Sequence, residues 1–144
     1  MTKDLEYRLE TGRHLARLLE IPALIGEVSR QLTALRAERR QLERVAKEVW
    51  AREFLAAQGR SREEREAQAL ARLGANPDWN RMQARLEQLA AAIDKLQGEK
   101  ETLEHERKAL YGAIIARHTE VLEAALASRL LTPHGLPPER GRGN

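Results

Sequence analysis

The residues best suited to chemistry in this chain are basic side chains that recur along one predicted helix. They are, in chain order, Arg36, Arg39, Arg40, Arg44 and Lys47. Four of them are separated by four, four and three residues, so they share one face of an α-helix. Guanidinium and ammonium groups in such a stripe can bind the phosphates of a nucleic acid. We therefore predict these five residues as a candidate nucleic-acid-binding site.

The same cations also suit the solvent-exposed flank of a coiled coil. Acidic residues interleave with them on the same predicted helix, and others lie on the helix expected alongside. These acids are Glu38, Glu43, Glu48, Glu99, Glu101, Glu104 and Glu106. Opposite charges on such flanks form salt bridges and need no ligand. Both interpretations stay open at the level of the sequence.

Three of the five aromatic residues lie near one predicted turn between helices. They are Trp50, Phe54 and Trp79. Exposed rings of this kind can stack on bases or anchor a protein partner, so the three residues form a candidate partner surface. A buried cluster would instead close the end of a helical hairpin.

The residues needed for catalysis or for holding a cofactor are missing or scattered. The sequence contains no cysteine, which excludes disulfides and thiolate metal ligands. The four histidines (His14, His105, His118 and His134) include no pair with metal-ligand spacing on one helix face. A glycine-rich phosphate loop and a nucleophile elbow are both missing from the sequence. We expect a non-enzymatic protein with no catalytic residues, no metal, no cofactor and no small-molecule substrate.

Composition and charge indicate a helical protein outside the membrane. Charged residues make up 33% of the chain and aromatic residues 3%, and the net charge is +3. That charge is mild for a dedicated nucleic-acid-binding protein. No stretch approaches the ~20 continuous apolar residues of a membrane span, and no apolar run resembling a signal peptide follows the first residues. We expect a cytoplasmic protein without membrane contact.

Apolar residues recur at alternating three- and four-residue spacing in two long segments. The first seam is Ile25, Val28, Leu32, Leu35, Leu42, Ala46 and Val49, with Arg39 in phase. The second seam is Met82, Leu86, Leu89, Ile93, Leu96, Leu103, Leu110, Ile114 and Val121. Heptad seams of this length predict long helices that pair with each other. A shorter stripe of Leu5, Leu9, Leu15 or Ala16, and Leu19 predicts an N-terminal helix.

Local signals divide these patterns into four helices, at about residues 3–20, 22–58, 62–73 and 77–130. Pro22 disfavours a helical residue before it and predicts a break there. Gly59 is the expected helix terminator. Ser61 and Glu64 form a capping-box pattern that opens the short helix. Asn76-Pro77 is typical of the start of the last helix.

The predicted fold is all-α: a long antiparallel coiled-coil helical hairpin with a short helix at the tip and an N-terminal helix. Residues 1–131 are expected to form a single helical domain. Residues 132–144 contain Pro, Gly and Arg at a density that predicts a flexible tail. Because the seams are narrow, a homodimer is the expected way to bury more apolar surface.

One segment carries a family resemblance. Residues 51–67 read AREFLAAQGRSREEREA. This resembles a signature of small, mostly uncharacterised helical proteins of tailed phages: a helix ends in an aromatic residue, small residues and a glycine, then a capped helix reading E-R-E-A follows. The resemblance covers about residues 35–111. Such proteins are commonly encoded near recombination, single-strand-annealing or replication genes.

The resemblance implies an accessory protein that acts by binding in phage DNA replication or recombination, in the cytoplasm of the host cell. Its partners would be DNA, a phage recombination protein, or both. One alternative is a phage regulator that binds a host protein machine such as RNA polymerase or the replisome. Another alternative is a structural coiled-coil scaffold.

Overall fold

A computed structural model describes residues 2–131 of the chain. Within these residues there are three α-helices and no strand: α1 spans Thr2–Ala56, α2 spans Arg62–Gly74, and α3 spans Pro77–Leu131. The prediction of an all-α fold is confirmed. The flexible tail predicted for residues 132–144, which includes His134, lies outside the described residues.

The chain divides into two compact units. Unit 1 consists of Met1–Ala23 and Glu104–Asn144, and unit 2 is Leu24–Leu103. Helices α1 and α3 contribute to both units, whereas α2 belongs to unit 2. The single helical domain expected for residues 1–131 stays a prediction.

The helix break predicted at Pro22 is wrong, and with it the separate N-terminal helix. Helix α1 continues through Pro22 without interruption. A proline inside a helix removes one backbone hydrogen bond and costs about 3 kcal/mol. The neighbouring Ile21 is completely buried, and apolar residues continue at heptad spacing to Ile25 and Val28. Burial of this continuous seam offsets the local cost of the proline.

The core of unit 2 is the predicted pair of seams together with one face of α2. Leu32, Leu73 and Leu89 are 1% exposed, and Ile93 is 7% exposed. The predicted seam residues of unit 2 are all buried or half-buried except Arg39, which is exposed. The heptad pattern therefore predicted the packed faces of both long helices in this unit correctly.

The caps predicted for α2 and α3 are confirmed. The backbone N–H of Glu64 donates to Ser61 Oγ at 3.2 Å, and the Glu64 carboxylate accepts from the backbone N–H of Arg60 at 2.8 Å. At the start of α3 the Asn76 side chain accepts from the backbone N–H of Asp78 at 2.9 Å. Each bond satisfies a backbone donor at or just before a helix start, where few helical partners exist.

Gly59 has a different role from the predicted terminator of the first long helix. Helix α1 ends at Ala56, and Gly59 does not adopt a positive φ. A Cβ at Gly59 would lie 3.0 Å from the Cβ of Glu64 and 3.1 Å from the backbone nitrogen of Arg65. The glycine therefore permits close packing of the connection on the first turn of α2.

Polar pairs between α1 and α3 have an antiparallel order within each unit. In unit 2, Arg36 reaches Gln97 while Glu38 reaches Arg85. In unit 1 the pairs are Glu10 with Arg117 and Arg17 with Glu106. In both units the later residue of α1 meets the earlier residue of α3. This order supports the predicted antiparallel hairpin.

In unit 1, the face of α1 that packs is not the predicted one. The residues that are buried or half-buried are Tyr7, Thr11, His14, Arg17, Leu18 and Ile21. The predicted stripe is exposed instead, with Leu9 at 54% and Leu19 at 79%. Helix α1 is continuous, so its apolar seam keeps one helical period along its length. The seam that includes Ile25 and Val28 therefore determines which face of α1 is buried towards the N-terminus. On α3, the predicted seam residue Val121 is 43% exposed.

The Arg17–Glu106 pair makes a pH-dependent contribution to unit 1. Arg17 Nε donates to Glu106 Oε1 at 2.7 Å, and Arg17 Nη2 donates to Oε2 at 3.0 Å. These hydrogen bonds stabilise the carboxylate and lower the pKa of Glu106 below 4.5. Because the folded-state pKa lies below the unfolded one, this stability is present above about pH 4.5 and is lost as the pH falls through the folded-state pKa.

We expect Glu106→Gln to lower the melting temperature at about pH 7 and to have a smaller effect when both proteins are melted at about pH 3. The effect should be modest, because the two side chains are 38% and 35% exposed. Glu104→Gln is the matched control, since Glu104 is also half-buried in α3 but forms no hydrogen bond or ion pair with another described residue. Equal shifts for the two variants would contradict the prediction.

Candidate nucleic-acid interface

Helix α1 displays four of the five predicted basic residues on one exposed face of unit 2. They are Arg36, Arg40, Arg44 and Lys47, and we call this set the basic stripe. The adjoining face of the same helix segment carries the buried Leu32 and the half-buried Leu35 and Leu42. Burial of these leucines sets the rotation of α1, and the helical period then places the cations towards solvent.

The basic stripe is not neutralised by carboxylates within the described part of the chain. Arg36 Nη2 donates to the amide oxygen of Gln97 at 3.1 Å, and Arg44 donates to the amide oxygen of Gln41. Arg40 and Lys47 form no hydrogen bond or ion pair with another described residue. Four positive charges therefore stay available to an anion.

The acidic residues expected to pair with the basic stripe are partly engaged elsewhere. Arg85 binds Glu38 through two hydrogen bonds, of 2.8 and 2.9 Å, and they lower the pKa of Glu38. Glu101 accepts from the amide of Gln97 at 3.2 Å. The salt bridges of unit 2 are therefore formed by other arginines. Among the described residues, the basic stripe has no carboxylate partner.

Arg39 differs from the other predicted cations. Its Nε donates to Glu43 Oε1 at 2.9 Å, and both side chains are 45% exposed. This i,i+4 pair compensates the charge of Arg39 locally. Arg39 therefore lies beside the basic stripe without adding a free charge to it.

The length of the basic stripe suits a short run of phosphates. From Arg36 to Lys47 the helix rises about 16 Å at 1.5 Å per residue. One strand of B-DNA places a phosphate about every 3.4 Å along the helix axis, so this length corresponds to about four or five phosphates. The four charges thus match a ligand of the size of half a DNA turn.

The predicted aromatic residues Trp50, Phe54 and Trp79 are half-buried, which lies between the exposed partner surface and the buried cluster that the sequence left open. The rings of Trp50 and Phe54 are tilted with their centroids 6.3 Å apart. Trp79 makes no ring contact with either of them among the described residues. The buried side chains in this region are those of Ala57, Ala69 and Leu73.

Trp50 and Phe54 line an open groove of about 560 Å³ between the end of α1 and the start of α2. Its walls are Trp50, Ala51, Phe54, Leu55, Arg62 and Glu66. Leu55 is 83% exposed, so it adds apolar surface that the sequence prediction omits. Leu55 lies outside the heptad positions of the seam, and this spacing could have identified it in the sequence as an exposed apolar residue. The groove offers an apolar surface one turn beyond Lys47.

Residues 2–131 contain no group of three His, Asp or Glu side chains placed to hold a metal ion. None of the three helices, within these residues, has an apolar stretch sufficient to span a bilayer.

Comparison of the chain with protein-family models, with curated proteins and with solved structures gave no match.

Proposed function

We propose that this chain is a non-enzymatic protein that binds nucleic acid through the basic stripe. The observation that carries the proposal is four exposed cations on one helix face without a carboxylate partner in the described part of the chain. Unpaired Arg and Lys side chains bind polyanions by releasing the counterions that surround the phosphates. Cations already held in salt bridges would contribute less, because a bound carboxylate would have to be displaced.

The proposed setting is phage DNA replication or recombination in the host cell. It is supported by the resemblance of residues 51–67 to small proteins of tailed phages. In that setting, DNA would occupy the basic stripe, and a phage recombination protein would be the natural second partner.

We also propose that the chain acts as a homodimer. A dimer presents two basic stripes to one nucleic acid. Simultaneous binding of both raises the effective affinity without any new contact, provided that their spacing allows it.

The test is fluorescence anisotropy of labelled single- and double-stranded DNA, titrated with the full chain at two salt concentrations. If four phosphate contacts form, the affinity should fall about 100-fold between ~50 mM and ~200 mM salt. The slope of the logarithm of affinity against the logarithm of salt concentration would then be about −3 to −4. Absence of binding at the lower salt would contradict the proposal, and so would binding that is insensitive to salt.

A second candidate function is binding of a protein, as a regulator of a host machine would require. It is favoured by the groove at Trp50, Phe54 and Leu55, because exposed aromatic and aliphatic side chains together are typical of interface anchors. A co-purifying host protein, lost on Trp50→Ala and accompanied by no DNA affinity, would support this candidate over nucleic-acid binding.

A further inference from the structure

The basic stripe of α1 continues directly into the groove at the end of the same helix. Trp50 follows Lys47 by three residues, and Phe54 follows it by seven. Residues at these spacings share one face of an α-helix, and Phe54 lies about five helical turns beyond Arg36. The cations and the two rings therefore lie on one side of α1, within unit 2. We call the groove the aromatic groove, and its lining is Trp50, Ala51, Phe54, Leu55, Arg62 and Glu66.

The two parts of this surface differ in charge. The basic stripe carries four cations without a carboxylate partner among the described residues. In the aromatic groove the two charged residues neutralise each other, because Arg62 Nε binds Glu66 Oε1 at 2.9 Å. The rest of its lining is aromatic or aliphatic. One part therefore attracts anions, and the adjoining part suits a flat apolar group.

The aromatic groove has the size and the rings that stacking of a nucleobase requires. Its volume of about 560 Å³ is within the range of ordinary ligand pockets. Trp50 and Phe54 are half-buried, and their ring centroids are 6.3 Å apart. A ring that is partly held by packing loses little further freedom when a ligand stacks on it. The rings are therefore preorganised for a planar ligand.

A chain of phosphates that carries unpaired bases matches both parts at once. In a duplex the bases stack on one another, so a base contacts a protein ring only after it leaves the stack, which costs free energy. A duplex could thus use the basic stripe but not the aromatic groove. In a single strand every base has a free π-face beside the charged backbone. A protein partner would account for the groove but not for the row of cations that leads into it.

We propose that the ligand of this surface is a single-stranded nucleic acid, with its phosphates on the basic stripe and one or two bases stacked on Trp50 and Phe54. The inference rests on the proposed function and adds the strandedness of the ligand. From Arg36 to Phe54 the surface is about 27 Å long at 1.5 Å per residue. Stacking of one base on an aromatic side chain strengthens binding about 5- to 150-fold.

The first test compares oligothymidylate with a duplex of equal length in anisotropy titrations of the full chain. We expect the single strand to bind at least ~5-fold more tightly at ~100 mM salt. Trp50→Leu keeps apolar bulk but removes the π-face. It should weaken oligothymidylate binding at least ~5-fold and change duplex binding less than ~2-fold. The salt slope should stay the same, because stacking releases no counterions.

Two further variants control for loss of structure and for general apolar contact. Trp50→Phe retains an aromatic face, so it should bind oligothymidylate more tightly than Trp50→Leu does. Leu55→Ala removes an 83% exposed side chain of the same groove that has no π-face. It should change oligothymidylate affinity less than ~2-fold. Far-UV circular dichroism confirms that each variant stays helical.

The fluorescence of Trp50 provides a second test that needs no loss of the ring. The chain contains two tryptophans, and Trp79 is not among the residues that line the aromatic groove. In Trp79→Phe the emission comes from Trp50 alone, and a stacked base should quench it. We expect quenching by oligothymidylate and none by the duplex. In Trp50→Phe the remaining Trp79 is the control, and its emission should not respond to either DNA.

Several results would overturn this inference and leave the proposed function intact. They are equal affinity of the wild-type chain for the two DNAs, equal effects of Trp50→Leu and Leu55→Ala, and binding of oligothymidylate without quenching of Trp50. The last result would leave the aromatic groove to a protein partner. In each case, salt-dependent binding that is lost on neutralising the basic stripe would still support nucleic-acid binding. Absence of binding to either DNA would contradict both proposals.

Discussion

Replacing Leu89 with alanine is expected to lower the free energy of unfolding by about 2–5 kcal/mol. Leu89 is 1% exposed and lies on the α3 seam of unit 2. Its truncation removes apolar contacts and leaves a cavity in a core that is only one seam wide, so few neighbours can move in to fill it. Urea unfolding followed by circular dichroism measures the change. All variants must be compared at one protein concentration, because self-association adds to the apparent stability.

The matched control is Leu55→Ala, which removes the same atoms from a side chain that is 83% exposed. We expect it to change the free energy of unfolding by less than about 0.5 kcal/mol. A loss at Leu89 no larger than the loss at Leu55 would show that the α3 seam is not the core of unit 2.

Neutralising the basic stripe is expected to weaken nucleic-acid binding by at least ~30-fold at low salt. The variant is Arg36→Gln, Arg40→Gln and Arg44→Gln combined. If each arginine contacts one phosphate, its loss lowers the magnitude of the salt slope by about one, so the triple variant should lose about three. The three side chains are exposed, so the fold should tolerate the change. Anisotropy titrations at several salt concentrations measure both the affinity and the slope.

The control is a second triple variant with the same change in net charge. Arg30, Arg39 and Arg62 each pair with a glutamate on their own helix: Glu27, Glu43 and Glu66. Substitution of these three arginines by glutamine should weaken binding less than about 3-fold, because surface pairs contribute little free charge to a ligand. Equal losses in the two triple variants would mean that DNA senses overall charge rather than the basic stripe.

The two predictions concern the packed seam of unit 2 and the basic stripe whose direction that seam sets. Leu32, Leu35 and Leu42 hold one side against the rest of unit 2, and this fixes the direction in which Arg40 and Arg44 point. A single continuous helix of 55 residues is a stiff support for such a surface. A variant that loosens the seam should therefore weaken binding only to the extent that it unfolds unit 2.

Much of the secondary structure could be predicted from the sequence because its determinants are local. The bond from the Glu64 N–H to Ser61 and the bond from the Asp78 N–H to Asn76 join residues two or three apart. The heptad seams likewise follow from the 3.6-residue period, and Leu32, Leu89 and Ile93 are buried as predicted. The capping residues and the packed faces of unit 2 thus needed no knowledge of the rest of the chain.

The candidate site could be predicted only in part. The positions of Arg36, Arg40, Arg44 and Lys47 on one face follow from their spacing. Whether they are neutralised depends on which carboxylate reaches which arginine, and Glu38 is bound by Arg85, which lies 47 residues away. Sequence patterns do not distinguish among pairings at that separation, so the unpaired state of the basic stripe is a property of the tertiary structure.

By itself the sequence determined that the chain is helical, where α2 and α3 begin, and which seams form the core of unit 2. Only the tertiary structure decided that α1 runs through Pro22, and that Tyr7, His14 and Ile21 pack while Leu9 and Leu19 stay exposed. The physical reason is that both outcomes depend on burial summed along a long helix. A proline removes one backbone hydrogen bond, and the leucine stripe covers only a few turns. A continuous seam, in contrast, determines which face of the whole helix is buried.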